Sequence, residues 1–208
     1  SSDNRISHGL VNGVTPDTGR DEYVYTTFRS SWEGAGGGKV WLNMNLGSTS
    51  KANSPTDLSP SRAGWYFQFN RKQGYFHNGN SRIPSNRWNN SIRESTNWNR
   101  SNDPCTLLLG DEWRIPNRNE LENLLNASAS QGGINRGDRD EAFDSPSKLA
   151  AFGRLFFNDG RLDRRGETGY LWGSSQGDRD RGVRLYVSDL GSGVDSGSFK
   201  SAGLSVRC

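Results

Sequence analysis

From Gly169 to Cys208 the chain keeps a fixed apolar spacing inside a stretch whose other residues are mostly small or charged. Tyr170, Trp172, Val183, Leu185, Val187, Val194, Leu204, Val206 and Cys208 stand where strands place inward-facing side chains. Around them, 20 of the 29 residues from Gly173 to Ser201 are Gly, Ser, Asp or Arg, yet the alternation does not decay into that of a linker. Asparagine breaks at the same place, with twenty copies up to Asn158 and none in the fifty residues after it. A rigid scaffold displaying a surface whose identity is free to change would have this pattern. The plainer alternative is an exposed Gly/Ser-rich edge with no partner.

The 208 residues suffice for one domain with a substantial core. Only 31% of them are hydrophobic, but 7 Trp, 6 Tyr and 9 Phe bury a large area each and argue against disorder, so the core is expected to be aromatic and the loops long. A net charge of +3 with Asp and Arg interspersed lacks the basic stripe of a nucleic-acid binder. No run of about 18 apolar residues is present to span a membrane, and the polar stretch Ser1 to Asn12 lacks the apolar centre of an export signal. Cys105 and Cys208 match no metal spacing. If paired, they close a loop of about a hundred residues, worth roughly 4 to 5 kcal/mol of chain entropy, in an oxidising compartment; two free buried thiols are the alternative.

Residues 1–20 read as an N-terminal arm and 21–208 as the domain. Strands are expected at Glu22 to Phe28 and Lys39 to Leu46, with a loop from Gly47 to Ala63 and a partly extended aromatic patch from Gly64 to Tyr75. From His77 to Pro104 a long polar loop is pinned by Trp88 and Trp98. Asn117 caps the clearest helix, Glu120 completes a capping box, and Leu121, Leu124 and Leu125 share one face up to about Ala127. Ser128 to Ser147 reads as a polar connection. Lys148 to Phe157 reads as a strand turning at Asn158-Asp159-Gly160, although Leu149 to Phe152 could be helical. Gly169 to Ser175, Gly182 to Ser188 and Gly203 to Cys208 are the last strands, with Gln176 to Arg181 as flanking loop and Ser188 to Lys200 adding Asp189, Asp195 and Lys200 beside it. The result is an α+β chain with short antiparallel sheets, one or two helices and long loops.

Few residues point to catalysis. His8 lies in the expected mobile arm and His77 in a loop, with no nucleophile elbow. Paired carboxylates need only proximity in space, which keeps a carboxylate-based hydrolase as a third reading. Asp138, Asp140, Glu141 and Asp144 lack the spacing of a calcium loop and read as solvated, and Arg136-Gly137-Asp138 carries little weight as an adhesion tripeptide. No cofactor or metal is expected. In the strand Gly182 to Ser188, alternation turns Val183, Leu185 and Val187 inward, leaving Gly182, Arg184, Tyr186 and Ser188 together outside. Exposed Arg beside Tyr among small residues is the composition of binding hot spots and paratopes.

Several motifs together resemble a known group. Asn102-Asp-Pro-Cys-Thr, Trp113-Arg-Ile-Pro, Asn158-Asp-Gly-Arg-Leu, Gly169-Tyr-Leu-Trp-Gly-Ser-Ser and Gly203-Leu-Ser-Val-Arg-Cys are similar, over roughly Lys39 to Cys208, to the FISUMP-type domains of bacterial surface proteins. Those domains are related to the formylglycine-generating-enzyme branch of the C-type lectin fold. The resemblance implies that fold and a bridge between Cys105 and Cys208. Lectin calcium signatures and the closely spaced catalytic cysteine pair of formylglycine-generating enzymes are missing, so neither calcium-dependent sugar binding nor that chemistry is expected.

A narrower resemblance is to variable proteins of diversity-generating retroelements, in which adenine-directed mutagenesis rewrites Asn codons near the C-terminus. An Asn-rich template would become the Asp, Gly, Arg and Ser excess seen here. By that analogy the variable region is about residues 169–208. Its ligand surface is Leu171, Gly173, Gln176, Gly177, Asp178, Arg179, Asp180, Arg181, Arg184, Tyr186, Ser188, Asp189, Gly191, Asp195, Gly197 and Lys200. The implied protein is a non-enzymatic recognition domain, extracellular, cell-surface or on a phage virion, that binds a protein or other macromolecule on another cell. A glycan-binding adhesin using Trp or Tyr stacking is the alternative. Nucleic-acid partners and direct membrane insertion are not expected.

Overall fold

The computed structural model describes residues 5–208. Arg5–His8 (β1), Tyr23–Arg29 (β2) and Val40–Leu42 (β3) form one antiparallel sheet in sequence order. Its inward side is aromatic, with Tyr23 and Tyr25 fully buried while Val24 between them faces out, the two-residue period of a half-covered strand. Pro60–Ala63 (α1) leads into Tyr66–Phe67 (β4), Gly74–His77 (β5) and Arg82–Ile83 (β6), a second small sheet. The helices Pro104–Leu109 (α2), Arg118–Asn126 (α3) and Arg139–Asp144 (α4) follow, then the hairpin Arg154–Leu155 (β7) and Leu162–Asp163 (β8). Gly169–Gln176 (β9), Arg181–Ser188 (β10) and Gly191–Phe199 (β11) make the third three-stranded sheet, again antiparallel throughout. The chain is therefore α+β, and no described helix is long and apolar enough to cross a membrane.

α3 forms as its sequence dictates. Asn117 Oδ1 accepts from the Glu120 amide at 3.0 Å, Glu120 Oε1 accepts from the Asn117 amide at 2.9 Å, and Leu121, Leu124 and Leu125 are buried together. Elsewhere the architecture corrects the sequence reading. Four short α-helices stand where one or two were expected, because α1, α2 and α4 are each too short to show a helical period. α4 falls in the segment read as a polar connection; its acidic cluster is solvent-exposed as expected but helical, with Asp138 Oδ1 accepting from the Asp140 and Glu141 amides as the cap. The first twenty residues are not wholly an arm, since β1 pairs with β2 and buries His8. The strand expected from Lys39 to Leu46 ends at Leu42, and the one expected from Lys148 to Phe157 shrinks to β7. Gly203 to Cys208 contributes isolated bridges to Phe67, Leu155 and Leu171 instead of a strand of its own.

That C-terminal segment threads the core. Trp65, Phe67, Phe69 and Trp172 are completely buried there, and the Trp172 indole donates to the Phe67 carbonyl at 2.6 Å. Cys105 and Cys208 form a disulfide with 5.7 Å between their Cα atoms. Beside it the Arg207 guanidinium is buried without a carboxylate partner among the described residues. Nε donates to Asn45 Oδ1 at 2.7 Å, Nη1 to the Leu42 and Ser147 carbonyls, and Nη2 to the Lys148 carbonyl at 3.3 Å. Burial alone pulls its pKa down to about 9.

Both histidines belong to the packing. His8 Nδ1 donates to the Gly9 carbonyl at 2.8 Å, which leaves Nε2 to accept from the Tyr25 hydroxyl at 2.7 Å. His77 Nδ1 accepts from the Gly79 amide at 3.0 Å. Burial lowers His8 below 6.5, and burial with the nearby Arg165 and Arg82 guanidiniums brings His77 to about 4. Below pH 6.5 the unfolded chain takes up protons at rings that the folded chain keeps neutral. This contribution to stability is therefore complete above pH 6.5 and falls as the pH drops towards 4. Urea titrations at pH 7 and pH 5 should show a lower midpoint at pH 5, and His77→Asn, which keeps an acceptor for Gly79, should flatten the difference.

Candidate ligand-binding face

The sheet β9–β10–β11 has two unlike sides. Leu171, Val183, Leu185 and Val187 are buried against Leu121, Leu124 and Leu125 of α3, with Val194 half-buried beside them. The opposite side is sealed over β9, where Tyr170 and Trp172 enter the aromatic core, and opens over β10 and β11. Tyr186 lies across from Tyr170 on one flank and Gly193 on the other. A Cβ at Gly193 would come within 2.6 Å of the Tyr186 hydroxyl, so the ring occupies the space a side chain there would need. Arg184 Nε meets Asp195 Oδ1 at 2.9 Å and Nη1 donates to Ser198 Oγ at 3.1 Å. Its guanidinium lies 5.3 Å from the centres of both the Tyr170 and the Tyr186 rings, and Arg154 approaches the Tyr170 ring at 4.9 Å.

At one end of this face the loop from Gln176 to Arg181 is ordered by its own bonds. Asp178 Oδ1 accepts from the Asp180 and Arg181 amides at 2.8 Å, and the Gly177 amide donates to the Arg181 carbonyl at 2.8 Å. The segment Arg93 to Trp98 supports it from outside. Glu94 N donates to the Arg179 carbonyl at 3.0 Å, Trp98 N to the Ser174 carbonyl at 2.8 Å, and Gln176 N to Asn97 Oδ1 at 3.0 Å. Arg93 pairs with Asp180 at 3.0 Å and holds that exposed carboxyl below its usual range. Arg71 does the same for Glu94 at 2.9 Å. None of Arg71, Arg93, Glu94 or Asn97 was singled out in the sequence, where their distance from the loop gives no signal.

The open side gathers Arg184, Tyr186, Ser188, Asp195 and Gly197, with Gln176 to Arg181 at one end and Asp189 and Gly191 at the β10–β11 turn. Four assignments are corrected. Leu171 is buried on the α3 side, because β9 is covered on both faces. Gly173 is there too, and a Cβ on it would touch Leu121 at 3.0 Å. Lys200 is fully buried: its ammonium donates to the Glu94 carbonyl and to Gln176 Oε1 and lies 5.2 Å from the Phe69 ring centre, and burial lowers its pKa. Gly182, placed outside by alternation, faces inward, where a Cβ would lie 2.7 Å from Phe69. Ser188 to Lys200, given no strand in the sequence reading, contains β11.

No family model, curated protein or solved structure matches this chain. No group of His, Cys, Asp and Glu side chains among the described residues could hold a metal ion. A separate cleft of about 300 Å³ is lined by Trp41, Glu112, Trp113, Arg114, Glu120 and Cys208, among others. Of its two carboxylates, Glu120 is already held by Arg114 at 2.6 and 2.8 Å and by the Asn117 amide.

The two groups of residues should separate by stability. Arg179→Ala and Arg181→Ala, whose side chains are exposed, are expected to change the folding free energy by less than about 0.5 kcal/mol. Lys200→Met should cost about 2 kcal/mol and Leu171→Ala about 3 kcal/mol. Thermal and urea unfolding of the four variants measures this directly.

Proposed function

We propose that this chain is a non-enzymatic recognition protein that holds a changeable ligand face on a C-type lectin scaffold, in the manner of the variable proteins of diversity-generating retroelements. It acts outside the cell, at a bacterial surface or on a phage virion, and its ligand is a protein or other macromolecule. One observation carries the reading: the framework grips the loop through main-chain atoms. The Arg179 carbonyl is taken by Glu94 N and the Asp180 carbonyl by Lys200 N, so beyond the turn held by Asp178 and the Gln176 contact to Lys200 the loop's course does not rest on the Arg179 and Arg181 side chains. Arg184 and Tyr186 add the hot-spot chemistry, an arginine stacked on tyrosine above a platform closed from below. Exchanging the exposed Arg179 and Arg181 changes affinity while leaving the burial that stabilises the fold untouched, whereas Arg184 and Tyr186 are half-buried and their exchange costs a modest part of it.

A display library tests this. Randomising Arg179, Arg181, Tyr186, Ser188 and Asp189 should leave most members resistant to protease and should yield binders to unrelated target proteins. A library with Leu171, Gly173, Gly182 and Lys200 randomised instead should lose most of its folded members. Widespread unfolding of the first library would overturn the proposal. The genomic locus gives an independent reading: a nearby reverse transcriptase gene and a copy of the 3′ end differing at adenines are expected.

A further inference from the structure

β11 is an edge strand of nine residues, and nothing among the described residues pairs with its outer side. From Gly191 to Asp195 its register with β10 is unbroken, from Ser188↔Gly191 to Arg184↔Asp195. In an antiparallel edge strand alternate amides and carbonyls point away from the sheet. Among the described residues the main-chain atoms of Ser192 to Asp195 bond to nothing beyond β10. Such a row invites another strand, and proteins usually blunt it with a short edge, a lysine, a proline, a bulge or a covering element. The stretch Gly191-Ser-Gly-Val has no lysine, proline or bulge, its Val194 packs on α3 at the covered face of the sheet, and the register shift comes only past Asp195. Gly191, Ser192 and Gly193 also have side chains too small to screen the backbone.

We propose that the outer edge of β11 receives an extended segment of a protein ligand as a fourth strand of this sheet. This rests on the recognition reading above and gives its partner a shape. Main-chain bonding supplies an attachment that survives changes in neighbouring side chains, while those side chains select among ligands. The surroundings define the segment. Leu190, 93% exposed at the β10–β11 turn, offers an apolar contact to one end. Asp189 beside it is exposed and has no ion-pair partner among the described residues, which favours a cationic residue there. β-Branched residues on the incoming strand would supply the cross-strand contacts that glycine and serine cannot. For the same reason a second copy of this strand is a poorer occupant, since Gly and Ser would then face Gly and Ser.

The test uses the intact protein and a synthetic peptide, acetyl-Lys-Thr-Val-Thr-Val-Thr-Val-amide. Hydrogen exchange followed by NMR should show slowed exchange at alternate amides of Ser192 to Asp195 when the peptide is added. The same peptide N-methylated at every second residue, on its pairing edge, should bind about tenfold more weakly. Unchanged exchange at β11, or equal binding of the two peptides, overturns the proposal. So does sedimentation showing a β11-paired dimer that the peptide fails to dissociate. The library experiment reads side chains and this one reads the backbone: a protein that fails the first but captures the peptide retains the edge site, and the converse result removes the edge site alone.

Discussion

The fold depends on the way the segment Gly203 to Cys208 is bonded by strands and loops that belong to different small sheets. Gly203 exchanges backbone bonds with Leu155 at 2.8 and 3.0 Å, and Leu204 does so with Phe67 at 2.9 and 3.0 Å. Trp172 donates to Ser205, Leu46 to Val206 and Leu42 to Cys208. Buried backbone groups must find partners, and here they find them between small sheets instead of within one large sheet. The disulfide fixes the end of this segment to α2, and the Arg207 guanidinium gathers carbonyls from Leu42, Ser147 and Lys148 around it. A buried cation held by carbonyl dipoles alone has no second charge to compensate it, so loss of any of these acceptors would leave a desolvated donor.

From that centre the sheet β9–β10–β11 is held twice, by the α3 leucines on one side and by Trp172 in the aromatic core on the other. Covering both faces of β9 while leaving one face of β10 open separates two tasks along neighbouring strands. β9 carries the packing, and β10 leaves one face open to solvent. Lys200 joins the two, since its buried ammonium ties the loop residue Gln176 to the Arg93–Trp98 support.

Features set by neighbouring residues were legible in the sequence. The capping box of α3, the strand β2 and the inward Val183, Leu185 and Val187 each follow from spacing within a few residues. What was not legible depended on distant contacts. Leu171 beside Trp172 breaks the alternation rule because its strand has no solvent side. Gly182 keeps the side that alternation gives it, but Phe69 and Trp172 cover that side there, which no local signal marks. β11 has a composition that favours turns and is a strand because β10 lies beside it. Lys200 looks like a surface charge until the Glu94 carbonyl and the Phe69 ring close around it. The open side of β10 was therefore legible in outline, while the supports of its loop at Arg71, Arg93, Glu94 and Asn97 became visible only in three dimensions.

Support of the Arg179–Arg181 loop through carbonyl oxygens has an evolutionary consequence. In most proteins a burst of replacements at a contact surface produces many chains that misfold, and selection is spent removing them. Under the recognition role proposed above, replacements at Arg179 and Arg181 spare the groups that keep the polypeptide on its path, so altered descendants would stay folded and compete on affinity from the start.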